Sequence, residues 1–227
     1  MTKHMRLPRN ALAHLRKDRA LARVIAAVGP FRLELGAGET HLGALVRAIV
    51  YQQLSGKAAA TIHGRFRALF PPERHPTAAE ILRISEDQIR ACGLSRQKAA
   101  SLRDLCEKVS SGDVPLDGLS TESDEAIVAQ LIHVRGIGVW SAQMFLLFHL
   151  GRPDVWPIDD LGVRKGIELV RGLPATPSPK ATAELGERYR PFRSVAAWYC
   201  WRALDLPSKP ATRVSKRPAK SRTSEPR

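Results

Sequence analysis

The feature that most constrains this chain is a Gly-x-Gly turn, Gly136-Ile137-Gly138, between two apolar helical patterns that cover about 125–134 and 139–150. Glycine has no Cβ, so the backbone can turn tightly there and approach another surface closely. The second helix points its free backbone N–H groups out of the turn, which favours binding of an anion such as a DNA phosphate. An ordinary helix corner with glycines at a C-cap has the same pattern, so this stretch alone leaves both interpretations open.

The charge of the chain indicates a polyanionic partner. The formal net charge is +14 and the isoelectric point is about 10.4. Residues 207–227 contribute +6 of this charge, so +8 remains on the rest of the chain. The excess of positive charge therefore belongs to the folded part as well as to the tail.

The three cysteines, Cys92, Cys106 and Cys200, are scattered and lack metal-ligand spacing. This pattern predicts neither disulfides nor a zinc or iron–sulfur site, and it favours a reducing compartment. No apolar run is long enough to span a bilayer, and the N-terminus lacks a signal-peptide core. We therefore expect a cytoplasmic protein, associated with the nucleoid if it is bacterial, with no membrane partner.

The hydrophobic periodicity predicts about ten helices and almost no strand. We expect an all-α protein with two helical lobes and a helix-hairpin-helix motif. Residues 1–40 are predicted to form an N-terminal helix and a short extended segment packed on the core. The core spans 41–206, with the hairpin at about 125–150. Residues 207–227 form a basic tail whose composition predicts disorder.

Two neighbouring carboxylates, Asp159 and Asp160, precede a helix about twenty residues after the hairpin. An aspartate at this position is expected as a simple N-cap. The apolar segment Val155–Ile158 before it could also wall a pocket, in which a carboxylate would stabilise a cationic sugar intermediate. The residues alone leave both roles open.

Two polar loops complete the candidate set. Gln53 and Ser55 lie in a turn between apolar helices, where an amide can read a base edge or can simply be solvated. The basic loop Leu94–Arg96 could push an apolar wedge into a base stack, or Leu94 could pack inward. Local pattern alone favours the structural alternative in both loops.

Several motifs together resemble the helix-hairpin-helix DNA glycosylases of base excision repair, and most closely their DNA-3-methyladenine glycosylase II (AlkA-type) branch. The resemblance covers about 40–206. Only about forty residues precede this core, so the chain resembles a compact form without the extra N-terminal α/β domain of the well-known bacterial member. The matching stretches are 51–59, 92–99, 136–142, 154–156 and 159–164.

The resemblance implies a monofunctional enzyme that flips out alkylated bases, 3-methyladenine and related purines, and hydrolyses their N-glycosidic bond to leave an abasic site. It implies a monomer that acts on double-stranded DNA containing damaged bases and requires no cofactor. Trp140 replaces the hairpin lysine with which the bifunctional lyases form a Schiff base. Two alternatives remain: a non-catalytic helix-hairpin-helix DNA-binding module, and a glycosylase of the same superfamily for mismatched or oxidised bases.

The resemblance also implies roles for individual residues. The active-site cleft is expected between the two lobes, and Asp160 is the expected catalytic carboxylate. Bases alkylated on ring nitrogens are cationic or electron-poor and stack well on indoles. The expected substrate pocket comprises Trp140, Trp201, Met144, Trp156, Gln53 and Ser55. The expected DNA contacts are the hairpin residues Val134, Gly136, Gly138, Trp140 and Ser141, and the wedge loop Leu94, Ser95 and Arg96. The Val134 carbonyl is a candidate ligand for a sodium or potassium ion.

Overall fold

A computed structural model describes residues 3–36 and 39–207 of the chain. The basic tail beyond residue 207, with its predicted disorder, lies outside the described residues. Within them the backbone is almost entirely helical. The α-helices are α1 Ala11–Leu15, α2 Arg19–Val28, α3 His41–Tyr51, α4 Gly56–Arg67, α5 Ala78–Arg83, α6 Glu86–Ala91, α7 Arg96–Ser111, α8 Asp124–Leu131, α9 Val139–Phe145, α10 Leu161–Arg171, α11 Pro179–Gly186 and α12 Arg193–Ala203.

Two short helical turns and a small sheet complete the secondary structure. A π-helical turn, Leu146–Leu150, continues α9, and a 3-10 turn, Glu187–Tyr189, follows α11. Strand β1, Lys3–His4, pairs antiparallel with β2, Glu34–Leu35. This pairing joins the start of the described chain to the segment that follows α2.

Two hydrophobic cores divide the helices into two lobes. One core is built from residues of α3 to α9 and of the π-helical turn. The second joins α1 and α2 to α10 and α12. The N-terminal helices therefore form one lobe with the C-terminal helices, and the polypeptide passes through the other lobe in between. This architecture confirms the predicted all-α fold with two lobes.

The N-terminal helix expected from the sequence is interrupted at Asp18, which caps α2 by accepting hydrogen bonds from the backbone N–H groups of Ala20 and Leu21. Arg171 at the end of α10 donates to the same carboxylate at 2.6 Å. Burial raises the pKa of Asp18, but the Leu21 N–H and the arginines Arg171 and Arg188 outweigh it and lower the pKa overall. Asp18 thus ties the N-terminal helices to the C-terminal half of their lobe.

None of the described helices combines the length and the apolar character needed to cross a membrane. Among the same residues, no group of histidine, cysteine or acidic side chains is arranged to hold a metal ion. The three cysteines are buried free thiols.

Candidate active site

Asp160 lies where the two lobes meet, at the start of α10. Its Oδ1 accepts a hydrogen bond of 2.8 Å from the backbone N–H of Val163, which makes it the N-cap of the helix. Trp201 of α12 donates its indole N–H to the same oxygen at 2.8 Å. Trp140 of α9 donates its indole N–H to Oδ2, also at 2.8 Å. Asp160 is therefore both an N-cap and the meeting point of two tryptophans, whereas Asp159 is exposed.

The close approach of Trp201 to Asp160 requires a glycine at position 162. A Cβ placed on Gly162 would lie 2.7 Å from Cδ1 of Trp201 and 3.0 Å from Oδ1 of Asp160. Trp201 also stacks on Phe148, with 5.6 Å between ring centroids and 27° between planes. These contacts fix the indole beside the carboxylate.

A cavity of about 230 Å³ opens beside Trp140, whose side chain is 42% exposed. Most of its wall is aromatic or apolar. A flat, electron-poor ring gains most in such a cavity, because aromatic faces and a thioether offer polarisable surface without competing hydrogen bonds. The side chains that form this wall include Tyr51, Trp140, Met144, Phe145, Phe148 and His149.

The Gly-x-Gly turn joins α8 to α9 and uses its two glycines differently. Gly136 has φ +79°, a conformation that L-residues rarely adopt, and a Cβ there would lie 2.6 Å from Oγ of Ser101. Gly138 has φ −97°, and no atom lies within 4 Å of the position of its missing Cβ. Gly136 is therefore required by the fold, whereas Gly138 leaves the surface open in front of α9.

Gln52 connects this hairpin to the turn between α3 and α4. Its Nε2 donates to the carbonyl of Gly136 at 2.9 Å and to Oγ of Ser141 at 3.2 Å. Lys98 donates from Nζ to the backbone carbonyls of Val50 and Gln52, at 2.8 and 2.7 Å. Burial lowers the pKa of this lysine. The α3–α4 turn and the hairpin are thus held together as one surface.

The structure corrects the predicted wedge. Leu94 is 4% exposed and belongs to the core of the α3–α9 lobe, because its side chain packs inward from the loop before α7. Ser95 caps α7 through the backbone N–H of Lys98, and Arg96 is exposed. The neighbouring α3–α4 turn has an exposed apolar side chain, Leu54, which is 39% exposed.

Four of the six expected pocket residues do not line the aromatic cavity, and one of them, Trp201, lines the wider cleft next to it. Trp156 is 5% exposed in the core of the other lobe, where its indole N–H donates to the carbonyl of Thr182 at 2.8 Å. Its ring is needed there for packing and does not line the cavity. Gln53, with φ +56°, and Ser55, which caps α4, are exposed on the α3–α4 turn and are also outside the cavity wall.

The buried residue Val134 begins the tight part of the hairpin. Its carbonyl accepts a hydrogen bond of 3.0 Å from the N–H of Ile137. A carbonyl oxygen has two lone pairs, so Val134 retains one that is suited to a hard monovalent cation. The sodium or potassium ion that the resemblance implies at this carbonyl stays a prediction.

The family described as "HhH-GPD superfamily base excision DNA repair protein" matches residues 46–191, a range that contains the hairpin and Asp160. The chain belongs to this superfamily. The chain is 37% identical over 163 residues to DNA-3-methyladenine glycosylase 1 of Schizosaccharomyces pombe. The aligned region covers 71% of this chain and 72% of the relative.

Solved structures agree with this assignment. The HhH-GPD fold superimposes on the S. pombe 3-methyladenine DNA glycosylase in complex with abasic DNA with a TM-score of 0.78 and 35% identity, covering 87% of this chain and 97% of that one. A DNA-3-methyladenine glycosidase from Bacillus halodurans matches with a TM-score of 0.76 and 29% identity, over 89% and 92% of the two chains.

Sequence reasoning missed four residues of this HhH-GPD site. Gln52 and Leu54 lie in a stretch that the sequence singles out, but a local pattern does not show which side chain turns inward. Phe148 continues the apolar face of α9, and only the π-helical turn brings it to Trp201. Gly162 directly follows the first residue of α10, and its closeness to Asp160 was the available signal.

Proposed function

We propose that this protein is a monofunctional DNA-3-methyladenine glycosylase that hydrolyses the N-glycosidic bond of alkylated purines in double-stranded DNA. The observation on which this rests is Asp160, whose carboxylate is held between the indoles of Trp140 and Trp201 beside an aromatic cavity. The same activity is supported by the sequence match to S. pombe DNA-3-methyladenine glycosylase 1 and by the structural match to the S. pombe 3-methyladenine DNA glycosylase.

The chemistry follows from the position of the carboxylate. A purine alkylated on a ring nitrogen is a good leaving group, so the bond between it and C1′ of the sugar breaks with the electron pair going to the base. The sugar then has oxocarbenium character, and the negative charge of Asp160 stabilises it. Water adds to C1′ and loses a proton, which leaves an abasic site. Flipping the nucleotide costs a few kcal/mol, and least for a damaged pair, which adds selectivity.

In this proposal, the hairpin and the α3–α4 turn bind DNA. The backbone N–H groups that begin α9 face the open space in front of Gly138 and offer donors to a phosphate. The free carbonyl lone pair of Val134 would hold a sodium or potassium ion beside the phosphate, adding positive charge there. Leu54 replaces Leu94 as the side chain that fills the gap left by the flipped nucleotide, because it is the exposed one.

The remaining expectations are also proposals. Action as a monomer is part of this proposal. The buried free thiols are compatible with a cytoplasmic location close to DNA. The chemistry proposed for Asp160 requires no cofactor.

A base-release assay tests the proposal. Purified protein is incubated with duplexes that contain methylated adenine, hypoxanthine, ethenoadenine or 8-oxoguanine, and the released bases are identified chromatographically. We expect release of the methylated adenine and no covalent complex on borohydride treatment. Release of 8-oxoguanine alone would support a glycosylase for oxidised bases, and DNA binding without any release would support a non-catalytic binding module.

A further inference from the structure

A charged pair, Glu39 and Arg47, lies where the cavity beside Trp140 meets a second, wider cleft that Trp201 lines. The Glu39 side chain is 16% exposed, and that of Arg47 is 44% exposed. Nε of Arg47 is 3.7 Å from Oε1 of Glu39, which is too long for a hydrogen bond. The two groups attract each other through charge without a direct hydrogen bond.

Arg47 also lies against an aromatic wall of the cavity. The central carbon of its guanidinium is 4.6 Å from the centroid of the Tyr51 ring, within the range of a cation–π contact. The cavity wall therefore already accommodates a planar cation over an aromatic ring and next to a carboxylate. A purine methylated on N3 or N7 is likewise a planar cation, and the same surroundings favour it.

We propose that Glu39 is a specificity-determining residue that favours cationic alkylated purines over neutral damaged bases, while Arg47 offsets its charge when no base is bound. This inference rests on the proposed glycosylase function. Asp160 stabilises charge that develops on the sugar whichever base leaves. Glu39 lies among the residues that form the cavity wall, so it acts on the charge of the base itself.

The timing of that charge gives the inference a kinetic signature. An alkylated purine is cationic while it is attached to the sugar, and it becomes neutral as the bond electrons move onto it. A carboxylate beside the base therefore stabilises the bound substrate more than the transition state. Loss of Glu39 should weaken binding of the cationic substrate without lowering the rate at saturating enzyme.

The test uses single-turnover base release from two matched duplexes, one with a single 7-methylguanine and one with a single hypoxanthine. The maximal rate and the enzyme concentration for half-maximal rate are measured for the wild type, Glu39→Gln and Arg47→Gln. Glu187→Gln serves as control, because Glu187 is 58% exposed and pairs with an arginine on the other lobe.

For Glu39→Gln we expect the half-maximal concentration to rise about tenfold on 7-methylguanine, the typical size of a lost interaction with a charged group, and to stay constant on hypoxanthine. Removing the positive partner in Arg47→Gln should shift the preference in the opposite direction, further towards 7-methylguanine. Glu187→Gln should leave both substrates unchanged.

Equal losses on both substrates in Glu39→Gln, or a shift in the same direction for both variants of the pair, would overturn the inference in favour of a structural role. If Glu39→Gln does not fold, as judged by its unfolding midpoint, an unchanged or reduced preference in Arg47→Gln overturns it. A wild type that releases neither 7-methylguanine nor methylated adenine refutes the proposed function, whereas normal release with unaltered preference in the variants refutes Glu39 selectivity alone.

Discussion

Replacing Asp160 with asparagine separates the charge of this side chain from its hydrogen bonds. The amide oxygen can keep the two bonds now made by Oδ1, from the N–H of Val163 and the indole of Trp201. The amide nitrogen would then face the indole N–H of Trp140, where two donors oppose each other. One hydrogen bond and the negative charge are lost, and the shape is retained.

The structure sets the size of the two effects. Asparagine is as good an N-cap as aspartate, so the start of α10 is preserved. The lost bond involves Trp140, which is 42% exposed, so water can replace part of it and the free energy of unfolding should fall by about 1 kcal/mol. Removing the charge from a developing cation should lower the rate of base release by about 10²- to 10³-fold.

The assay is single-turnover release of a methylated purine with enzyme in excess, combined with fluorescence anisotropy on a duplex that contains an abasic-site analogue. We expect the rate of base release to fall by about 10²- to 10³-fold, while the affinity for the abasic duplex stays within about threefold of the wild-type value. Trp140→Phe is the matched variant, since it removes the same hydrogen bond but keeps the carboxylate charge. If Asp160→Asn retained most of the wild-type rate, charge stabilisation by Asp160 would be refuted.

Three further predictions follow from the geometry. Gly136→Ala should lower the free energy of unfolding by about 1–3 kcal/mol in denaturant titrations, because of its positive φ and the contact with a serine, whereas Gly138→Ala should keep stability and weaken DNA binding in anisotropy measurements. Leu94→Ala should lower the free energy of unfolding by about 2–5 kcal/mol, while Leu54→Ala should slow base release with stability unchanged. If instead Leu94→Ala slowed base release at unchanged stability and Leu54→Ala lowered stability, Leu94 would be the wedge. Burial raises the pKa of Asp18, but backbone N–H groups and arginines lower it below its ordinary value of 3.8. Asp18→Asn should therefore lower the free energy of unfolding by about 1–2 kcal/mol at neutral pH. This difference between the variant and the wild type should shrink as the pH falls through the lowered pKa.

Asp160, the proposed catalytic carboxylate, shows how much of the site can be predicted from local sequence. The sequence places Asp160 before a helix and behind a Gly-x-Gly hairpin, and an N-cap role follows from that position alone. The contacts with Trp140 and Trp201 span 20 and 41 residues of chain. Contacts of that separation depend on how the lobes pack, and helical periodicity does not contain that information.

Errors in the expected site have one physical origin. Trp156 and Leu94 each lie in a stretch that matches the family, yet both are core residues. Both lie in loops, where helical periodicity does not show whether a side chain points into a core or into the site. The reverse error affects Leu54, whose exposure on a tight turn only the packed structure reveals.

By itself, the sequence determined the properties set by local chemistry. These are the helical periodicity, the positive charge, the Gly-x-Gly turn between two helices, and the aspartate that caps α10. The tertiary structure decided which side chains meet. It joined the first two helices and the last helix into one lobe, brought Trp140 and Trp201 to the two oxygens of Asp160, and placed Glu39 beside the cavity. The reason is that secondary structure depends on neighbours within a few residues, whereas a site between lobes depends on packing between distant segments.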